Sequence, residues 1–322
     1  MSAENKNEPL FLKPILHQKM WGGTNLKESN LPIKTDHVGE AWLASVYGQD
    51  LSQISNGKFK GKTLKQVWHD EPELFDNHRS NQTFPLLVKM LDAKENLSIQ
   101  VHPNDENANK YFSEPNGKTE CWYILAAKPD SVAYYGHNAQ TAAEMKSAIQ
   151  QHQLEKILTT ISVKPGDLIY VPAGTLHALG AGIVALEVEQ SSDNTLRFYD
   201  FDRVDPETGE QRPLNIKDAI AVTNFPNIVP SQDMTNPIQD THNQAITSIL
   251  RSKYFTLKRI NVDGETNITS HHYSINVVIS GSGTLSDDKQ EYQIKKGDTF
   301  IMPTPITNYQ FNGKLTLIQV TE

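Results

Sequence analysis

The chain has 322 residues, 37% of them hydrophobic and 21% charged, with 18 Gly and 17 Pro, a composition that supports a buried core and excludes low-complexity disorder. Thirty basic against thirty-eight acidic residues leave a formal charge of −8, which argues against a nucleic-acid partner. The stretch Met1 to Pro9 has no apolar signal region, no run approaches the roughly 18 apolar residues that span a bilayer, and the single cysteine, Cys121, cannot close an internal disulfide; together these features predict a cytoplasmic protein with no membrane partner.

In chain order, a helix is expected over residues 64–75, with Trp68 and Leu74 on its apolar side. Strands are expected over 97–101 and 121–126. Thr141 with Glu144 forms a capping signature, and Met145, Ile149, Leu154 and Leu158 follow at helical spacing, so one helix is expected to reach about Leu158. Residues 168–171 and 183–188 read as strands, 215–222 as a helix, and 275–279 and 299–302 as strands. Gly281-Ser-Gly283 reads as a hairpin turn. Helices interrupt the strands without alternating with them, which excludes a doubly wound sheet and predicts a mainly β fold. Residues 224–243 are polar and punctuated by Pro226, Pro230 and Pro237, as a connection would be. Val163-Lys-Pro-Gly-Asp-Leu-Ile-Tyr-Val-Pro172 also resembles Ile294-Lys-Lys-Gly-Asp-Thr-Phe-Ile-Met-Pro303. The expectation is two copies of one β-barrel unit, residues 1–239 and 240–322.

Chemistry concentrates in the first unit. Strand alternation sends Ser98, Gln100 and His102 to one face and Ile99 and Val101 to the other. Glu120 opens a strand opposite in facing to Cys121, and a carboxylate there needs a partner. Past Pro172, a turn presents His177 on a rigid scaffold. Two histidines, a glutamate and a glutamine amount to N/O ligation with a position left open, which suits a catalytic zinc; two histidines and one carboxylate also suit Fe(II), so an oxygenase is a rival reading. Cys121 reads as an inert buried thiol and His152 as solvated.

Gly166-x5-Pro172-x-Gly174-x2-His177 is similar to the second motif of the cupin superfamily, whose histidine ligates metal. Gln100-Val-His-Pro-Asn-Asp105, Gly117-Lys-Thr-Glu120, Pro172-Ala-Gly-Thr-Leu-His-Ala-Leu179 and Ser192-Asp-Asn-Thr-Leu-Arg-Phe-Tyr-Asp-Phe-Asp-Arg203, with Trp21-Gly-Gly23 and Gly39-Glu-Ala-Trp42 upstream, together resemble the type I mannose-6-phosphate isomerases in their short bacterial form, over nearly the whole chain. The resemblance implies two cupin-like jelly-roll barrels with a few decorating helices. It also implies one Zn2+ per chain on His102, Glu120 and His177, with Gln100 a fourth ligand as in longer members. Lys118, Lys89, Arg197 and Asp193 match active-site positions of the family. The implied reaction interconverts mannose-6-phosphate and fructose-6-phosphate through a cis-enediol, by a monomer or homodimer. The alternative is a catalytically silent sugar-phosphate-binding protein, against which the presence of Lys118 and Arg197 beside the ligands argues.

Alternation independently puts Arg197 on one face with Tyr199, opposite Leu196 and Phe198, and an arginine aimed into a barrel calls for an anion. Lys118 as a proton-accepting base requires a lowered pKa, which a nearby metal and Arg197 would favour. In the second copy, overlaying Gly297 on Gly166 puts Asn308 on His177, so that unit is expected to hold no metal and to be structural, despite His271 and His272 nearby.

Overall fold

A strand apolar on alternate residues has one face to bury, and two such sheets set face to face enclose a core. In the computed structural model, which describes residues 7–77, 82–205, 208–228, 237–240 and 242–322, two antiparallel sheets form the first barrel. One has the order Leu168–Val171, Glu120–Ala127, Ile183–Gln190, Leu86–Ala93, Ile15–Gly23, Val38–Ala44, and the other Leu158–Ser162, Val132–His137, His177–Leu179, Ile99–Val101, Leu196–Tyr199. Leu91, Trp122 and Ile124 of the first pack with Ile99, Val101, Ala178 and Leu196 of the second.

The six-stranded sheet is covered on its outer side too. Cys121, Tyr123, Leu186 and Val188 pack there against Leu257, Ile275, Ile318 and Val320 of the C-terminal part. Strands Leu86–Ala93 and Ile183–Gln190 are therefore buried at every residue. The C-terminal sheet runs Ile238–Gln239, Ile246–Arg251, Thr256–Thr269, Asn308–Thr321, Ser274–Ser286, Thr299–Met302, and then takes in two strands from the start of the chain, Leu10–Lys13 and Gln53–Ile54; Glu291–Lys295 pairs with Ser274–Ser286 off this path. Leu10 sits opposite Ile301 and Phe11 opposite Phe300. Ile260, Phe300, Phe311 and Leu317 fill the interior of this second unit.

The internal repeat is visible as geometry: Gly166 and Gly297 take φ of 91° and 94°, each in the turn before a four-residue strand, a conformation that glycine adopts without steric cost. Thr63 and Gln66 close a capping box on Leu64–Asp70, which gives way to a short 3-10 turn, Pro72–Leu74. Thr141 caps Ala142–Gln150 as expected, but the helix does not continue to Leu158: His152 has φ of 54°, a second short helix covers Leu154–Ile157, and Leu158 begins a strand. Ile216–Val222 is helical. Asp105–Phe112, capped by Asn104, is a further helix with Ala108 as its buried residue; its nearly uniform polarity hides it from apolar periodicity. Gly281-Ser-Gly283 is not a hairpin turn. It lies inside Ser274–Ser286 next to a bulge, with Gly281 opposite Leu315 and Gly283 opposite Gly313, and a Cβ on Gly281 would stand 2.0 Å from the Lys314 carbonyl oxygen; glycine here permits close strand approach. Of the polar connection, Pro230 lies outside the described residues. Among the described residues, no helix is long and apolar enough to cross a membrane.

Candidate active site

Three strand ends converge at one corner of the first barrel. His177 opens His177–Leu179 and pairs in register with Gln100, His102 follows Ile99–Val101, and Glu120 opens Glu120–Ala127 on the facing sheet. His102 Nε2 lies 3.3 Å from Glu120 Oε2 and His177 Nε2 lies 3.2 Å from Oε1. The far nitrogen of each ring donates to a backbone carbonyl, His102 Nδ1 to Asn194 at 2.6 Å and His177 Nδ1 to Thr175 at 2.8 Å, which turns both Nε2 lone pairs toward Glu120. All three side chains are buried, His102 Nε2 and Glu120 Oε1 have no hydrogen-bond partner, and Glu120 Oε2 has only the 3.5 Å ion pair to Lys118 besides the histidine. Buried lone pairs left without donors are costly, and a cation removes that cost. The three ligand atoms lie within 4.8 Å of one another, a group able to hold a metal ion. Gln100 reaches the same corner, its Nε2 3.5 Å from His177 Nε2 while Ser98 Oγ donates to its Oε1 at 3.2 Å.

Beside this corner, the pairing of strands lays a polar row across the six-stranded sheet: Trp42, Lys89, Glu187 and Trp122 are successive cross-strand neighbours. Lys89 Nζ lies 2.8 Å from Glu189 Oε1, 2.8 Å from Asp193 Oδ1 and 3.6 Å from Glu187 Oε2, and 4.7 Å over the Trp42 ring. Lys118 Nζ lies 2.8 Å from Glu189 Oε2 and 3.5 Å from Glu120 Oε2. Trp122 Nε1 donates to Glu187 at 3.0 Å, Trp42 Nε1 to Glu40 at 2.7 Å, and Lys19 Nζ lies 3.1 Å from Glu40.

Comparison with known proteins places this arrangement. The family model described as "Phosphomannose isomerase type I, catalytic domain" matches residues 10–155, and "Mannose-6-phosphate isomerase, cupin domain" matches residues 245–322. The chain is 38% identical over 307 residues to mannose-6-phosphate isomerase ManA of Bacillus subtilis, covering 95% of this chain and 96% of the relative. It is 38% identical to the mannose-6-phosphate isomerase of Streptococcus mutans, with 97% of each chain covered. The chain belongs to the type I mannose-6-phosphate isomerase family. The crystal structure of the mannose-6-phosphate isomerase from Bacillus subtilis superposes with a TM-score of 0.93 at 36% identity, over 98% of this chain and 100% of the other. As in that family, this is an enzyme with a mainly β fold of two cupin-like units.

The corner opens into a cavity of about 210 Å³, whose lining includes Gln100, Lys118, Lys89, Glu187, Asp193, Arg197 and Arg212, with Arg197 the direct cross-strand neighbour of Gln100. Arg197 Nε is buried without a hydrogen-bond partner; burial and the neighbouring Arg212 push the guanidinium's pKa down, with Asp200 and Asp193 acting against them. Arg212 is fixed by Asp200, its Nε at 2.8 Å from Oδ2 and its Nη2 at 2.6 Å from Oδ1, and Arg203 also holds Asp200. Burial and Lys118 push His102 down to about 3. Burial opposes ionisation of Glu120, yet Lys118, His177 and His102 hold it well below the usual carboxylate range; Asp193 is likewise held low against burial, by Lys89 and Lys118.

Among the protein's own groups, burial would lower the Lys118 pKa, but Glu189, Glu120 and Glu187 outweigh burial and Lys89 and raise it, so the acids around it favour a charged ammonium. Lys89 is raised well above its ordinary value in the same way, by Asp193, Glu189 and Glu187 acting against burial. Glu187 moves oppositely to a salt-bridged acid: burial and Glu120 raise its pKa.

His102, Glu120, His177, Gln100, Lys118, Lys89, Asp193 and Arg197, the candidate site residues of the sequence, meet here. Lys19, Glu40, Glu187, Glu189 and Arg212 were not singled out. Glu187 and Glu189 do carry a signal, since period two puts them on the same sheet face as Ala185 and in line with Glu120 on the neighbouring strand. Cys121 is buried on the opposite face, and burial raises its thiol well above the ordinary value. His152 is exposed, and His272 is exposed with Nδ1 3.1 Å from Asp76. His271 and Asn308 are exposed as well.

Proposed function

We propose that the chain interconverts mannose-6-phosphate and fructose-6-phosphate through a cis-enediol, with one Zn2+ on His102, Glu120 and His177 and with Gln100 beside them. The observation that carries this reading is the division of buried charge along one cavity. Around the metal corner, five carboxylates (Glu40, Glu120, Glu187, Glu189, Asp193) stand with three lysines (Lys19, Lys89, Lys118); burial and Glu187 raise the Glu189 pKa well above the ordinary value, and burial and Glu120 raise that of Glu187, a crowding of acids that a bound dication would relieve. Arg197, Arg203 and Arg212 gather around Asp200, a cluster with more cations than acids that suits a phosphate dianion.

A sugar phosphate lying along the cavity has its phosphate between Arg197 and Arg212 and its C1 and C2 at the metal corner. Zn2+, when bound, polarises the carbonyl and offsets the negative charge of the enediol oxygens, an effect of several kcal/mol. Lys118 and Lys89, held charged, donate to substrate oxygens. Glu187 faces the cavity with a raised pKa, as a carboxyl needs in order both to take a proton from one carbon and to return it to the next; the substrate oxygens exchange the matching proton, so the reaction is neutral overall. Asp193 orients Lys89. We further take residues 1–239 as the catalytic unit and 240–322 as a cupin-like unit without a metal group, with strand Leu10–Lys13 lent to the C-terminal sheet. A cytoplasmic setting suits the lone, buried Cys121 thiol.

The test is formation of fructose-6-phosphate from mannose-6-phosphate before chelation, after it, and after Zn2+ is restored. Turnover that vanishes and returns supports the reading. A folded, zinc-loaded protein without turnover, or one that turns over only with Fe(II) and consumes oxygen, overturns it.

A further inference from the structure

Lys89 and Lys118 reach the cavity from different parts of the chain: Lys89 from the middle of Leu86–Ala93, and Lys118 from the segment before Glu120–Ala127. Strand Ile183–Gln190 lies between those two strands and pairs with both. Its Glu189 gives one carboxylate oxygen to each lysine, both at 2.8 Å. The carboxylate is fully buried, and it stands behind the lysines, which line the cavity while it does not.

We propose that Glu189 is a positioning residue that sets the two lysine ammonium groups at a fixed separation facing the substrate. The proposal rests on the isomerase reading above. A lysine has four rotatable bonds, and an unheld ammonium pays rotamer entropy at the moment of reaction; a bridging carboxylate pays that cost during folding. The other acids near the lysines do not substitute for it. Asp193 meets Lys89 alone at hydrogen-bonding distance, Glu187 stands 3.6 Å from it, and Glu120 lies 3.5 Å from Lys118 and is committed to the histidines. The bridge needs two acceptor oxygens, so an amide of the same shape holds one lysine and releases the other.

The test compares wild type, Glu189→Gln and Glu189→Asp in the zinc-loaded enzyme by steady-state kinetics, metal content and the NMR signals of lysine ammonium groups. In wild type, Lys89 and Lys118 give two slowly exchanging ammonium signals, assigned by Lys89→Met and Lys118→Met. In Glu189→Gln, kcat falls at least tenfold while KM for mannose-6-phosphate stays within about twofold, zinc stoichiometry is unchanged, and at least one ammonium signal is lost. Glu189→Asp, which keeps two oxygens on a shorter stem, recovers part of kcat. Wild-type kcat in Glu189→Gln, or both ammonium signals persisting unshifted, overturns the proposal. Loss of turnover in the wild type itself overturns the isomerase reading and this proposal with it, whereas a defect confined to the variants bears on Glu189 alone.

Discussion

The two barrels share a turn and strand, Gly166 leading to Leu168–Val171 and Gly297 to Thr299–Met302, and diverge in what they enclose. The first surrounds a cavity whose walls carry paired charges, while the second is filled by Phe300, Phe311, Ile260 and Leu317. Where the first presents buried His177, the second presents exposed Asn308. Strand pairing is carried by backbone, so the interior of such a barrel is free to be solid or hollow. The solid unit supplies stability by packing on the outer face of the sheet whose inner face carries the lysines and acids.

The sharpest way to break this comparison is to empty the metal corner. His177→Ala is expected to lose metal and to lower kcat at least about a thousandfold, since several kcal/mol of electrostatic stabilisation go with the ion; Asn308→Ala is expected to leave both unchanged. Metal analysis and the isomerase assay together check this. Next in size, Phe311→Ala in the solid barrel should cost about 3–5 kcal/mol of stability through the cavity it creates, visible as a lower denaturation midpoint, while kcat per folded molecule stays near wild type. A drop in kcat without a change in midpoint would erase the division of labour between the units.

Smaller effects sharpen the polarity of the cavity. Arg212→Ala removes a charged hydrogen-bond donor of about 1.5–3 kcal/mol, so KM for mannose-6-phosphate should rise about tenfold or more with kcat little altered, and an unchanged KM would remove Arg212 from the anion end. The smallest effect concerns pH. His137, packed 5.1 Å from the Phe225 ring with Nε2 donating to the Asn224 carbonyl at 3.1 Å, has its pKa pushed below the ordinary 6.5 by burial. The unfolded chain therefore takes up this proton more readily. The stability involved is complete above pH 6.5 and declines as pH falls below it toward the folded value. Urea midpoints at pH 7 and pH 5.5 should differ less in His137→Gln than in wild type; equal differences would exclude His137 as a contributor.

Legibility from sequence followed the range over which each signal acts. The turn from Gly166 to His177 and the alternation around Arg197 are local, and both survive in the structure: Leu196 and Phe198 are buried while Arg197 faces the cavity. Glu187 and Glu189 alternate with Leu186 and Val188, but a strand buried on both faces gives such alternation the look of a solvated face, so the sequence pattern alone did not mark them as site residues. Arg212 follows the last strand of the barrel by more than ten residues and reaches the cavity through Asp200, a contact without a local pattern. The direction of the Lys118 shift depends on three acids brought together by tertiary structure, a gathering that no local sequence pattern displays.

Strand Leu10–Lys13 lies between Thr299–Met302 and Gln53–Ile54. During synthesis, Leu10–Lys13 must wait with one edge unpaired until Thr299–Met302 has been made. The strands of the first barrel lie between these two segments in sequence, so the C-terminal sheet clasps together parts of the chain as distant as Leu10 and Ile301. Opening of the sheet at that pairing is then felt by both segments at once.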